Sequence, residues 1–149
     1  MSLIVQKYGG SSLANSDLIR NVAKRISNAS EGDNQVVATV SAMGDSTDNL
    51  MDIAAQITNS PNPRELDVLL STGELQSCAL VCMALQELGK NAVSLSGGQA
   101  GIITDSRFGN AKICGNIILI RRHSYSGNFR FTGKFATSRT CSSSNSESK

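Results

Sequence analysis

The sequence predicts an α/β fold built on a mostly parallel sheet. Two short apolar runs, Leu3 to Lys7 and Gln35 to Val40, read as strands buried on both faces. The second is apolar on both faces, as strands of a helix-covered parallel sheet are. Between them, Leu18, Ile19, Val22, Ala23 and Ile26 recur at helical spacing. A small polar loop follows each run, and open α/β sheets bind ligands beyond the carboxyl ends of their strands.

The first strand opens the chain and runs into Lys7-Tyr8-Gly9-Gly10-Ser11-Ser12. Strand, glycine loop and helix together aim backbone N–H groups at one spot and attract an anion. Glycines let the backbone approach a phosphate without a Cβ in the way. Lys7 adds a positive charge at the strand end, so the stretch reads as a phosphate-binding loop. It is not a Walker A motif, because no Gly-Lys-Ser/Thr closes it. The plainer alternative is a surface turn with a chance lysine.

The first helix is expected from Ser16 or Asp17 to about Ala29, with Asn15 or Ser16 as N-cap. Glu31 to Asn34 is a turn. After the strand Gln35–Val40 comes the polar loop Ser41 to Asp48, then a helix from about Asp48 to Ile57. Ser60-Pro61-Asn62-Pro63 breaks the chain. Leu66 to Leu70 reads as a short helix, interrupted by Ser71-Thr72-Gly73-Glu74 before a longer one to about Leu88, stopped by Gly89. Asn91 to Leu95 is a third strand. Ile102-Ile103-Thr104 and Ala111-Lys112-Ile113 read as short strands of a hairpin around Ser106 to Asn110. Ile117 to Ile120 is a further strand candidate, and residues 121–149 show no sustained period.

A chain of 149 residues is long enough for one domain with a real core, and 40% of it is apolar. No apolar run approaches the ~20 residues of a membrane span. No charged n-region and apolar h-region open the sequence, so a cytoplasmic setting is expected and no membrane. The cysteines, Cys78, Cys82, Cys114 and Cys141, form no CxxC pair, and His123 is the only histidine. No disulfide framework or metal site is expected. Cys78 and Cys82 share one helix face and read as small buried residues.

The net charge of +2 hides an asymmetry. Residues 1–113 hold 8 Lys and Arg against 11 Asp and Glu; residues 114–149 hold 6 against 1. The later segment also carries four of the six aromatic residues and a serine-rich end, expected to be disordered.

Four loops, in order and at matching spacing, resemble the aspartate kinases of the amino-acid kinase family. Lys7-Tyr8-Gly9-Gly10-Ser11-Ser12 resembles their Lys-Phe-Gly-Gly-Thr-Ser opening, and Val40-Ser41-Ala42-Met43-Gly44 their Val-Ser-Ala-Met segment. Leu69-Leu70-Ser71-Thr72-Gly73-Glu74 resembles their Leu-Leu-Ser-Thr-Gly-Glu segment. The run from Gly98 through Gln99, Ala100 and Gly101 to Ile102-Ile103-Thr104-Asp105 resembles their later Gly-x-Gln-x-Gly-Ile-x-Thr-Asp stretch. The likeness covers roughly residues 2–113.

That resemblance implies a three-layer α/β/α sandwich around a mostly parallel sheet, truncated after about residue 113. It implies transfer of phosphate from ATP to the side chain of L-aspartate, giving 4-phospho-L-aspartate, the entry step to lysine, threonine and methionine. By resemblance Lys7, the catalytic candidate, joins Tyr8, Gly9, Gly10 and Ser11 on the ATP phosphates, and Ser41 lies near the phosphates or the substrate. Thr47 and Glu74 hold aspartate, Glu74 through the amino group. Gln99, Thr104 and Asp105 either line a subunit contact or shape the site. ATP enters with Mg²⁺, no tightly bound cofactor is implied, and the intact family implies a homo-oligomer.

The residue types suit that chemistry. An aspartate side chain, with a reference pKa near ~3.9, is ionised at pH 7 and needs no strong general base. The difficulty is bringing an anion against a polyanion, which a lysine, backbone N–H groups and Mg²⁺ relieve. A carboxylate such as Glu74 suits an ammonium group. Taken alone, however, Glu74 also reads as a helix-start acid and Thr47 as a helix N-cap.

Two departures are mild: Tyr8 stands for phenylalanine and Ser11 for threonine. The larger one begins at Cys114. The family's later Gly-Phe-Gln-Gly, Gly-Arg-Gly-Gly-Ser-Asp and Thr-Asp-Val-Asp-Gly segments are not found in residues 114–149, which read as a divergent, basic, Ser-rich and frame-shifted tail. Poor solubility and little activity are expected of these residues alone. The alternatives are a non-catalytic remnant that binds aspartate or docks on an intact kinase subunit, and a uridylate or glutamate kinase relative. A nucleic-acid contact through Arg121, Arg122, Arg130, Lys134 and Arg139 with Tyr125, Phe129, Phe131 and Phe135 lacks any recognised module and is disfavoured.

Overall fold

A computed structural model describes residues 2–32, 34–116 and 129–133, the backbone alone for 115–116 and 129–133. Its core is a parallel sheet of β1 (Leu3–Tyr8), β2 (Gln35–Val40), β3 (Ala92–Leu95) and a late strand, Phe129–Gly133. A separate antiparallel hairpin pairs β4 (Ile102–Thr104) with β5 (Ile113–Asn116), so the late strand is β6. The sheet order is β1-β2-β6-β3.

Helix α1 (Ser16–Ala29) starts where the sequence indicates, because the Asn15 side chain accepts a 3.0 Å bond from the Leu18 N–H. Its stripe Ile19, Val22, Ala23 and Ile26 is buried. Helix α2 (Ser46–Ile57) begins two residues before the expected Asp48. The Ser46 hydroxyl donates to the Met43 carbonyl at 2.5 Å, which tightens the turn into it.

Helix α3 (Pro63–Glu87) corrects the sequence reading. It is one helix of 25 residues, not two pieces broken at Ser71 to Glu74. Pro63 sits at the start, where its missing N–H costs nothing, and the Asn62 side chain accepts from the Arg64 N–H at 2.9 Å. The expected breakers are absorbed instead. The Ser71 and Thr72 hydroxyls donate to the Val68 and Leu69 carbonyls, both at 2.7 Å, so neither competes for a helix bond. Gly73 costs only about 1 kcal/mol in a helix interior. The helix ends as expected at Gly89, whose φ of 71° suits glycine. By length and composition α3 is also apolar enough to cross a membrane. Here Ser77, Cys78, Val81, Cys82 and Leu85 face the core instead.

One face of the sheet, with Val36, Ala38, Val40 and Ala92, packs against Leu13, the α1 stripe and the buried face of α3. Leu13, Ile26 and Leu85 are fully buried, each worth about 1.5–3 kcal/mol relative to exposure. Burial pushes the Cys78 thiol up to about 11, with the Glu74 carboxylate one turn away adding to it. It pushes Cys82 up to about 12; Cys78 adds to that, and a hydrogen bond with the Ser94 side chain opposes it. The pair therefore sits in the core as expected.

The opposite face corrects a second expectation. β1 is not buried on both sides: Leu3 and Val5 are 58% and 68% exposed, while Ile4, Gln6 and Tyr8 turn inward. β1 is one of the two edge strands of the sheet, and the face carrying Leu3 and Val5 lies away from the core cluster, which a short apolar run does not announce. β6 is the third difference. The sequence shows no period there, yet the strand lies between β2 and β3, with Val36 and Ala92 both opposite Phe129. The expected strand Ile117–Ile120, the serine-rich end and most of the 114–149 tail lie outside the described residues.

Candidate functional site

Of the expected site residues, Lys7 to Ser11 and Ser41 fall at the carboxyl ends of β1 and β2. The parallel register sets Lys7 beside Thr39 and Tyr8 beside Val40, so both strands deliver their loops to the same edge. The loops are then bonded to each other. The Ser41 N–H donates to the Tyr8 carbonyl and the Gly44 N–H to the Gly10 carbonyl, both at 3.1 Å. The glycine pair leads into a short 3-10 turn, Gly10–Leu13, with Ser12 N–H bonded to the Gly9 carbonyl at 3.0 Å. Leu13 anchors this turn in the core.

Lys7 is exposed and its ammonium curls back over the loop: a Cβ on Gly9 would lie 3.7 Å from Nζ. Strand alternation separates it from Tyr8. The Tyr8 side chain packs at the border of the core and donates its hydroxyl to Gln6 at 3.0 Å. Burial raises the Tyr8 pKa, partly opposed by the Arg25 charge. Only the Tyr8 backbone thus takes part in the loop junction. Ser11 is exposed, and Ser41 is half-buried. On the α1 side of the loop, Ser12, Leu18, Asn21, Val22 and Arg25 line a cleft of about 120 Å³.

Thr47 and Glu74 come from two helices. Thr47, half-buried, is the second residue of α2 and not its N-cap. Glu74, also half-buried, stands in the middle of α3, which removes its reading as a helix-start acid. Its neighbour Gly73 meets the loop after β2. A Cβ on Gly73 would lie 3.0 Å from the Ala42 Cβ, so α3 crosses directly over the loop that follows β2. This contact was not legible in the sequence. Its one signal is a glycine inside a run that otherwise forms helix.

The fourth motif stands apart. The Gln99 side chain accepts from the Ser96 N–H at 2.8 Å and shapes its own turn. Asp105 accepts from the Lys112 N–H at 3.0 Å and the Arg107 N–H at 3.3 Å, and pairs with the Arg107 guanidinium. The Lys112 N–H above all holds the Asp105 carboxyl below its ordinary pKa; slight burial opposes this, and the Arg107 N–H, Arg107 and Lys112 add to it. The hairpin touches α3 where the Gly109 N–H donates to Asp67 at 2.8 Å. The described residues contain no cluster of three or more His, Cys, Asp or Glu side chains able to hold a metal.

The site therefore has an exposed ammonium over a glycine loop and a second, hydroxyl-bearing loop bonded to it, with α3 against that second loop at Gly73. An ammonium over a glycine loop suits an anion. Comparison with known proteins agrees with the fold. The chain is 55% identical over 113 residues to the aspartokinase of Mycolicibacterium smegmatis, covering 76% of this chain and 27% of that protein. It thus spans about a quarter of the length of that curated relative. The aspartate kinase of Synechocystis superposes with a TM-score of 0.71 at 41% identity, over 88% of this chain and 21% of that one. Escherichia coli aspartokinase III, solved with aspartate and ADP, gives 0.71 at 18% identity, over 92% of this chain and 42% of that one, a likeness of fold. The profile described as the amino acid kinase family matches residues 2–126. The chain belongs to the amino acid kinase family.

Proposed function

We propose that this chain carries the phosphate-loop and substrate side of an aspartate kinase site, which transfers phosphate from Mg-ATP to the side-chain carboxylate of L-aspartate. The observation that supports this most is the joining of the loops after β1 and β2 at one sheet edge, with α3 meeting them where Gly73 faces Ala42. The aspartokinase names and ligands of the relatives point the same way.

In this reading the β- and γ-phosphates sit over Gly9 and Gly10, with Lys7 and the loop N–H groups spreading their charge. Mg²⁺ arrives as part of the nucleotide. Thr47 donates its hydroxyl to a carboxylate of aspartate, and Glu74 accepts from the ammonium group. The ionised side-chain carboxylate forms its bond to the γ-phosphorus as the bond to the ADP oxygen breaks. No proton has to be removed first, so the residues act by position and charge. Assembly as a homo-oligomer in the cytoplasm belongs to the same reading. These 149 residues alone are expected to turn over slowly, since the family's later nucleotide-binding segments are not among them.

The test is ADP release by the purified chain with Mg-ATP and aspartate, glutamate or uridylate as acceptor. Release that depends on aspartate, and falls about 10²-fold or more in Lys7→Ala, supports the reading. Release with glutamate or uridylate instead refutes the acceptor. Aspartate binding without any turnover would mark a binding remnant.

A further inference from the structure

One residue, Ala42, meets both the phosphate loop and α3. Ala42 is 3% exposed and is pressed from two sides. A Cβ on Gly10 would lie 2.7 Å from the Ala42 carbonyl oxygen, 3.3 Å from that of Gly44 and 3.5 Å from the Gly44 nitrogen. A Cβ on Gly73 would lie 3.0 Å from the Ala42 Cβ and 3.7 Å from Leu50 Cδ1. Neither glycine has a positive φ, so neither is required by backbone conformation. Inside α3 helix propensity even favours alanine over glycine. Close approach to Ala42 accounts for both.

We propose that Ala42 is the shared stop that sets the phosphate loop and the Glu74 helix relative to one another, with Gly10 and Gly73 as its positioning residues. This rests on the reading of the site as an aspartate kinase site. Lys7 and Glu74 lie on different elements, and their separation fixes where the acceptor stands relative to the phosphate. Transfer tolerates little error in that distance, since reacting atoms must approach within about 3–3.5 Å. A side chain at position 73 moves α3, and Glu74 with it, off the Ser41–Thr47 loop. A side chain at position 10 moves the phosphate loop. The two contacts differ in kind. Gly73 meets a side-chain atom of Ala42, which a second substitution removes; Gly10 meets a backbone oxygen, which none removes.

The test is calorimetric titration of the full chain with ADP and, separately, L-aspartate, for Gly73→Ala, Gly10→Ala, and each combined with Ala42→Gly. Gly73→Ala is expected to weaken aspartate about tenfold and ADP less than about twofold, and Ala42→Gly to restore most of the loss. Gly10→Ala is expected to weaken ADP, with no rescue by Ala42→Gly. Unchanged aspartate binding in Gly73→Ala, or failure of the rescue, overturns the proposal. A wild-type chain that binds neither ligand overturns the functional reading, and the positioning role with it. Thermal melting then decides whether the junction itself exists: it requires Gly73→Ala to melt lower than wild type and the double variant to recover. Melting at or above wild type, as helix propensity alone would give, removes the junction as well.

Discussion

A Cβ on Gly10 would come within 2.7 Å of the Ala42 carbonyl, whereas one on Gly98, in the turn before β4, would meet nothing within 4 Å. The two regions share residue types: glycines, hydroxyls and charged side chains. In the loops after β1 and β2 two bonds run between segments distant in sequence, Ser41 to Tyr8 and Gly44 to Gly10. In the turn and hairpin of residues 96–116 most run within the segment, Gln99 to Ser96 and Asp105 to Lys112 and Arg107. A glycine-rich motif marks a shared site where its glycines are needed by a neighbour. Where its polar groups satisfy one another, it marks a self-contained turn. Gln99 and Asp105 make their bonds within their own turn and hairpin.

The largest contrast is expected from glycine replacement. Gly10→Ala has to displace backbone and is expected to cost about 1–3 kcal/mol, while Gly98→Ala stays within about 0.5 kcal/mol; urea melts of both variants compare them directly. Equal costs would erase the difference between the regions. A smaller, ligand-specific effect is expected of Glu74→Gln. Loss of its charge is expected to weaken aspartate binding about tenfold and leave ADP unchanged, as read by calorimetry.

The smallest effect belongs to Asp105. Its carboxyl titrates below its ordinary value in the fold, so its bonds contribute above the unfolded value of about 3.9 and fade as pH falls through the lower folded one. Amide exchange at Lys112 and Arg107 is expected to stay protected at pH 5 and to lose protection only in stronger acid. Asp105→Asn is expected to abolish that pH dependence without altering ligand binding. An effect of Asp105→Asn on aspartate binding would draw the hairpin into the site.

The local parts of this fold were legible in the sequence, and the non-local parts were not. α1 was readable because its apolar spacing and its Asn15 cap lie within one short stretch. The breaks expected in α3 came from Ser71, Thr72 and Gly73, residues that favour turns when alone. Their hydroxyl bonds to Val68 and Leu69 and the Ala42 contact reverse that preference. β6 takes its place from partners Val36 and Ala92, far away in the chain, and five residues carry too little pattern to announce it. The same holds for the exposure of Leu3 and Val5, which lie on the face of β1 away from the core cluster. Of the site, the loops and their residue types were readable; the joint at Ala42 that holds them was not.

In the proposed function the loop edge, and not the hairpin, receives nucleotide and aspartate. Amide chemical-shift mapping of the full ¹⁵N-labelled chain tests it most directly. Titration with Mg-ADP is expected to move Lys7 to Ser12 and Ser41 to Gly44, and aspartate to move Thr47 and Glu74, with residues 102–116 still. Shifts confined to the hairpin, or loops that stay still at saturating ligand, would contradict it.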